Sequence, residues 1–205
     1  MSRLRCRLVN RHLKLPLVLL GLTLFAGCAT SPESKFYTLS PIEVAGPAAP
    51  ANSVSISIAI DPVTVPELVD RPQIVSWLDA NRVSIDEFAR WAEPLKSQIS
   101  RVLAADLAQR IPGAIVSSYP QRVDDNAYRV SVDVQSFDSS VGGTEMLAVI
   151  WSVRPPKRGE TLSGRTVVHE PVSGPGYDAM MAAYSRALAS VSGDIAVATR
   201  SAMQR

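Results

Sequence analysis

Cysteine and histidine are scarce in this chain, with two of each among 205 residues. Cys6 and His12 fall in the first 27 residues, so only Cys28 and His169 lie beyond them. That inventory excludes a multi-histidine zinc site and a cysteine–histidine dyad from the body of the chain. His169, followed by Glu170 near the end of a predicted strand, reads as a surface or hydrogen-bonded histidine. There is no Gly-x-Ser-x-Gly elbow, no phosphate-binding Gly-x-x-x-x-Gly-Lys and no His-Glu-x-x-His. Paired carboxylates leave no motif, so a hydrolase built on acids is retained only as a minor reading. The sequence implies no cofactor and no resident metal. A long apolar run is also missing: the longest, Leu15 to Ala26, is well short of the roughly 20 residues that span a bilayer as a helix. Acidic residues are absent from the first 27 positions, where Arg3, Arg5, Arg7, Arg11 and Lys14 stand. The rest of the chain therefore carries 16 basic residues against 19 acidic. A slightly acidic body has no concentrated basic face with which to hold nucleic acid.

What is present first is an address. A basic stretch, an apolar run and small residues over 1–27 make a secretory signal peptide, with a retained anchor as the alternative. The run closes on Phe25-Ala-Gly-Cys28, which resembles the lipobox of bacterial lipoproteins. That resemblance implies acylation of Cys28, with Phe25 standing where leucine is usual. Several acyl chains hold a protein far more firmly than the marginal binding of one. Residue 29 is Ala rather than the Asp that marks inner-membrane retention in enterobacterial lipoproteins, which implies the periplasmic face of the outer membrane.

Residues 28–53 are rich in Pro, Ala, Gly and Ser and read as a tether, interrupted by the β-prone Phe36-Tyr-Thr-Leu39 that would dock on the domain. Residues 54–205 read as one folded body, ordinary in composition at 46% hydrophobic and 20% charged for the whole chain. Val54, Ile56, Ile58 and Ile60 alternate with smaller residues at the period of a half-buried strand. Gln73 to Leu78 and Val83 to Ile85 flank Asp79-Ala-Asn-Arg82 as a short hairpin. Phe88 to Leu95 opens a helix, with Pro94 at its first position and Pro112-Gly113 stopping it. Strands follow at 114–117, from Tyr128 to Val134, from Met146 to Val153 and from Ser163 to Glu170. The third of these is apolar enough to be covered on both faces. Phe137 falls out of phase with the second, which predicts a bulge or an edge. Gly174-Pro-Gly176 reads as a helix-start turn and Asp124-Asp125-Asn126 as a polar turn. The closing helix runs from about Tyr177 to Ala202. The pattern predicts a single α/β domain.

Two segments carry more than generic composition. Asp70-Arg71-Pro72-Gln73-Ile74-Val75 begins the hairpin, and Arg90-Trp91-Ala92-Glu93-Pro94-Leu95 leads into the helix. Trp91 and Leu95 read as a staple between hairpin and helix. Arg71, Gln73 and Trp77 are the candidate partner surface, since exposed Trp and Arg dominate interface energies. Pro72, Glu93 and Pro94 complete the structural motif.

With Phe36-Tyr-Thr-Leu39 and the lipobox, these segments resemble the PqiC family of ABC-type transport auxiliary lipoproteins. The resemblance implies a three-layer α/β/α domain with a mixed sheet of about five strands, similar to the anticodon-binding domain, plus the short hairpin. It also implies a non-enzymatic partner of an inner-membrane complex whose MCE-domain protein forms a lipid-conducting tunnel. Phospholipid contact and a homo-oligomeric ring matched to the tunnel belong to the same expectation. The alternative is an envelope scaffold lipoprotein that assists assembly or secretion of another complex.

Overall fold

The computed structural model describes residues 32–43, 56–118, 125–139, 143–157 and 159–205. Cys28, the signal segment, Asp124 and Gly142 lie outside the described residues. The chain divides into Met1–Glu33 and a second unit, Ser34–Arg205. Every strand and helix among the described residues belongs to the second unit.

Its strands are β1 (Lys35–Tyr37), β2 (Ile56–Ile60), β3 (Gln73–Asp79), β4 (Arg82–Trp91), β5 (Ala114–Ser118), β6 (Tyr128–Asp138), β7 (Thr144–Arg154) and β8 (Leu162–Pro171). The helices are α1 (Leu95–Arg110) and α2 (Gly176–Met203). Five strands form one mixed sheet in the order β5-β2-β6-β7-β8. In it β2 runs parallel to β5 and β6, while β6, β7 and β8 are antiparallel neighbours. A second sheet has the order β1-β4-β3. The fold is α/β, as the periodicity predicts, with the mixed five-stranded sheet that the resemblance implies.

The arrangement of layers follows from β6. Val130, Val132 and Val134 are buried while Ser131, Asp133 and Gln135 are exposed, so one side of the sheet faces a core and the other faces solvent. Both helices share the covered side instead of flanking the sheet. They touch each other through the Arg110 Nη2 bond to the Ala189 carbonyl, 2.9 Å, and the Ser192 hydroxyl bond to Asp106, 3.2 Å. The strand expected to be covered on both faces, β7, accordingly leaves Ile150 exposed. Phe137 does sit beyond a register shift, between Val134 and Ser136. The extra residue returns Phe137 to the buried face beside Leu147.

Three local readings change. The hairpin is not short: β4 continues to Trp91, so Phe88 to Trp91 is strand rather than the opening of the helix. Asp86 makes this extension possible by accepting the backbone N–H groups of Phe88 and Ala89 at 2.8 and 3.1 Å across an irregular turn of the strand. Pro94 stands just before α1, where its missing N–H costs nothing. The folded unit also begins well before residue 54. Phe36-Tyr-Thr-Leu39 docks on it, with β1 parallel to β4 and Leu39 fully buried. Buried helix side chains receive the strap that continues from β1: Gln98 Oε1 accepts the Leu39 N–H at 2.7 Å, Ser185 Oγ that of Ser40 at 3.2 Å, and Asp106 Oδ1 that of Ile42 at 3.3 Å.

The helix ends follow local chemistry. Arg200 caps the Arg110 carbonyl at 3.1 Å, and Gly113, at φ 84°, supplies the left-handed residue of the turn after α1. Gly174 (φ 128°) and Gly176 (φ 79°) make the turn into α2.

Two glycines give opposite expectations. A Cβ on Gly164 would lie 2.3 Å from Trp151 Cζ2, and that ring is fixed by its 2.9 Å bond to Thr166 Oγ1, itself bonded to Asp194. Gly164→Ala should lose about 1–3 kcal/mol in urea unfolding through overpacking. Gly193, inside α2, has only ordinary contact space at 3.8 Å from Arg110 Nη1. Gly193→Ala should therefore gain roughly 0.5–1 kcal/mol in the same assay by helix propensity.

Candidate docking site

The two motif segments, separated by a hairpin in sequence, meet in space. The loop at 61–72 is held to β6 by Thr64, whose N–H bonds the Val132 carbonyl at 3.2 Å and whose carbonyl accepts the Val134 N–H at 3.0 Å. Its end turns through Asp70, which accepts Lys96 Nζ at 2.9 Å. The Trp91 N–H then bonds the Pro72 carbonyl at 2.7 Å, fastening the first segment to the second. Around this junction lies a cleft of about 340 Å³, lined by Arg71, Pro72, Trp91, Glu93, Pro94 and Leu95 among others. A second cleft, about 540 Å³, adjoins it through Asp70 and is floored by Lys96, Ser97 and Ser100 of α1.

The motif divides by burial. Trp91 and Leu95 are buried and Pro72, Glu93 and Pro94 are exposed, so the first pair staples and the other three form a lip. Gln98 secures the arrangement: its Nε2 donates to the Glu93 carbonyl at 2.9 Å while its Oε1 holds the strap at Leu39. Two polar atoms along the clefts are buried without a hydrogen-bond partner, Arg71 Nε and Ser100 Oγ. Leaving such a group unsatisfied costs about 1–3 kcal/mol, which an occupant could recover. The exposed Asp70–Lys96 pair at the divide contributes little by itself.

The three candidate partner residues have different surroundings. Arg71 lines the cleft. Gln73 donates to Glu87 at 3.1 Å. Trp77 is half-buried, its Nε1 bonded to Asp138 at 3.0 Å and its backbone N–H to the Ser139 carbonyl at 2.6 Å, so it joins the two sheets. Lys96, Gln98 and Ser100 escape a reading based on motifs, whereas Asp70 opens the first motif segment. For Gln98 and Asp106 a signal exists: both interrupt the apolar stripe of Leu95, Ile99, Val102, Leu103 and Leu107 at positions that must be buried. His169 is exposed, and Glu170 accepts Arg186 at 2.9 Å. Asp125 and Asn126 form a turn before β6. Among the described residues no group of three His, Cys, Asp or Glu is placed to hold a metal ion, and no helix is long and apolar enough to cross a membrane.

Beneath the cleft, Trp91 meets the edge of Phe137 at 6.1 Å between centroids, and Phe137 stacks on Tyr184 at 3.8 Å and 13°. Glu145 lies fully buried nearby, with neither carboxyl oxygen in a hydrogen bond of ordinary geometry. Burial raises its pKa to about 8; the neighbouring Tyr184 hydroxyl opposes the rise and the charge of Asp138 adds to it.

These features define an α/β module with a cleft assembled from two motif segments. The chain belongs to the family of ABC-type transport auxiliary lipoprotein components, whose model matches residues 37–196. It is 25% identical over 135 residues to the intermembrane transport lipoprotein PqiC of Escherichia coli, covering 66% of this chain and 71% of that one. The counterpart from Shigella flexneri matches equally. A crystal structure of an uncharacterized protein superposes with TM-score 0.67 at 21% identity, covering 80% of this chain and 97% of that one. A protein from Xanthomonas campestris does so with TM-score 0.62 at 18% identity, covering 84% and 100%. At those identities the two structures show the fold.

Glu145 generates a pH prediction. Its folded pKa, about 8, exceeds the ordinary 4.5, so the native state binds the extra proton between those values. Stability should fall as pH rises from about 4.5 to about 8 and level off above. In Glu145→Gln that component of the slope should vanish, as read from urea midpoints across the window.

Proposed function

We propose that this protein is the outer-membrane subunit of an MCE-type intermembrane phospholipid transport system. Acylated Cys28 holds it at the periplasmic face, and the Arg71 cleft docks the far end of a periplasm-spanning tunnel protein. The observation that carries the reading is the convergence of both motif segments on one cleft in which Arg71 Nε is buried and unpaired. Membership in a family of transport auxiliary lipoproteins supports it, as does the name of the E. coli relative, an intermembrane transport lipoprotein.

Physical chemistry supplies the reason for such a subunit. A phospholipid moving between membranes would expose its acyl chains at about 0.8 kcal/mol per CH₂, so a conduit must reach and stay against the target membrane. A ring of copies would match a symmetric tunnel end. Within this reading Gln73 and Trp77 set the position of β3, and Arg71, Pro72 and Glu93 meet the partner.

The test is crosslinking in the native envelope, capture through a C-terminal tag and identification of partners by mass spectrometry. An MCE-domain protein should be enriched with wild type, and its recovery should fall roughly tenfold with Arg71→Ala, the loss of a central interface arginine. Outer-membrane assembly or secretion proteins in its place would instead establish the scaffold reading. Acylation has its own check: labelled palmitate should enter the wild-type chain and be lost with Cys28→Ala.

A further inference from the structure

The three-stranded sheet has a second face that the core uses only in part: Val75 on it is buried and Val83 packs against the core, while the remainder is open. Ile74, Ala89 and Trp91 are buried on the inner side, where Tyr37 meets Tyr177 at 5.3 Å between ring centroids and Asp86 accepts the Tyr177 hydroxyl at 2.9 Å. The register places Phe36 opposite Arg90 and Ile85 opposite Val75, both pairs on the outer side, with Trp77 in the same row. Phe88, two residues before Arg90, belongs to that side as well. Phe36 is 65% exposed, Phe88 43% and Ile85 37%. Two aromatic rings and a β-branched side chain thus stand in water on one small sheet, with the Arg90 cation beside them. Apolar groups left exposed together mark a surface that meets something.

The length of chain before β1 says what. Only residues 29–34 separate Cys28 from Lys35. At about 3.3–3.6 Å per residue, even a fully extended connection keeps β1 within about 25 Å of an acylated Cys28. The strap at Leu39, Ser40 and Ile42 is bonded into the helices, so β1 gains no further slack from the residues after it. The rest of the Pro- and Ala-rich stretch lies downstream of β1 and does not lengthen the leash.

We propose that the outer face of the β1-β4-β3 sheet is a membrane-contact surface, with Phe36 and Phe88 seated at headgroup level in the phospholipid bilayer that holds the acyl anchor. Apolar burial and the attraction of Arg90 to lipid phosphates act together, as in other interfacial surfaces. The anchor then restrains orientation as well as location. This inference rests on the acylation of Cys28 proposed above.

The experiment uses the full acylated chain in phosphatidylethanolamine–phosphatidylglycerol vesicles. Nitroxide labels are placed singly by Phe36→Cys, by Phe88→Cys and, as control, by Val197→Cys on the exposed side of α2. Flotation with vesicles is read first; failure to float sinks the acylation reading and this one with it. If the protein floats, labels at 36 and 88 should show a severalfold higher ratio of oxygen to nickel-chelate collision rates than the label at 197. Equal ratios at all three positions would overturn the membrane face while leaving the anchor intact. Spin–spin broadening at 36 or 88 would overturn it in favour of an interface between copies of the chain.

Discussion

A run of rings from Trp91 through Phe137 to Tyr184 links three parts of the molecule within one core. Trp91 ends a strand of the three-stranded sheet, Phe137 lies near the end of β6 in the five-stranded sheet, and Tyr184 belongs to α2. The rings thus stand where both sheets and α2 share one core. Stacked and edge-on aromatic pairs contribute roughly 0.5–1.5 kcal/mol beyond the area they bury. The register shift before Phe137 is what brings its ring into the cluster. Trp77 and Ser139 tie the same junction from the strand edge, through the Asp138 carboxylate and the Val75 carbonyl.

A second constraint is the polar clamp in the helix pair. Gln98 and Asp106 occupy positions where an ordinary amphipathic helix would place apolar residues, and each is satisfied by the backbone of the N-terminal strap. Buried polar groups are tolerable because they are bonded. Their consequence is geometric: the chain at Leu39 to Ile42 enters the fold at a defined place. From there β1 completes the small sheet, and the Ala92 N–H bond to the Tyr37 carbonyl, 2.9 Å, ties the strap to the second motif segment.

The cleft and the outer sheet face belong to one substructure. The same β4 that contributes Trp91 and its neighbours to the cleft contributes Phe88 and Arg90 to the outer face. In the proposed function a docking subunit must hold a partner and keep station at a membrane. A small sheet presenting a motif-lined end and an apolar side meets both requirements without a reaction centre.

Much of the fold is legible in the sequence because it follows from local periodicity. The isoleucines of β2, the valines of β6 and the apolar stripe of α2 declare strand or helix within their own windows. The out-of-phase Phe137 announces its bulge. Phe88 to Trp91 reads as the start of a helix because nothing local shows that β1, far earlier in the chain, supplies a parallel neighbour. Trp77 reads as exposed because its partner, Asp138, is distant in sequence. Residue pattern is thus enough for most of the elements, the α/β class, the scarcity of catalytic side chains and the candidate anchor at Cys28. It is not enough to place both helices on one face, to bring Arg71 and Trp91 to one cleft, or to end the tether at Lys35. Those features arise from long-range pairing and burial, which no run of neighbouring residues encodes.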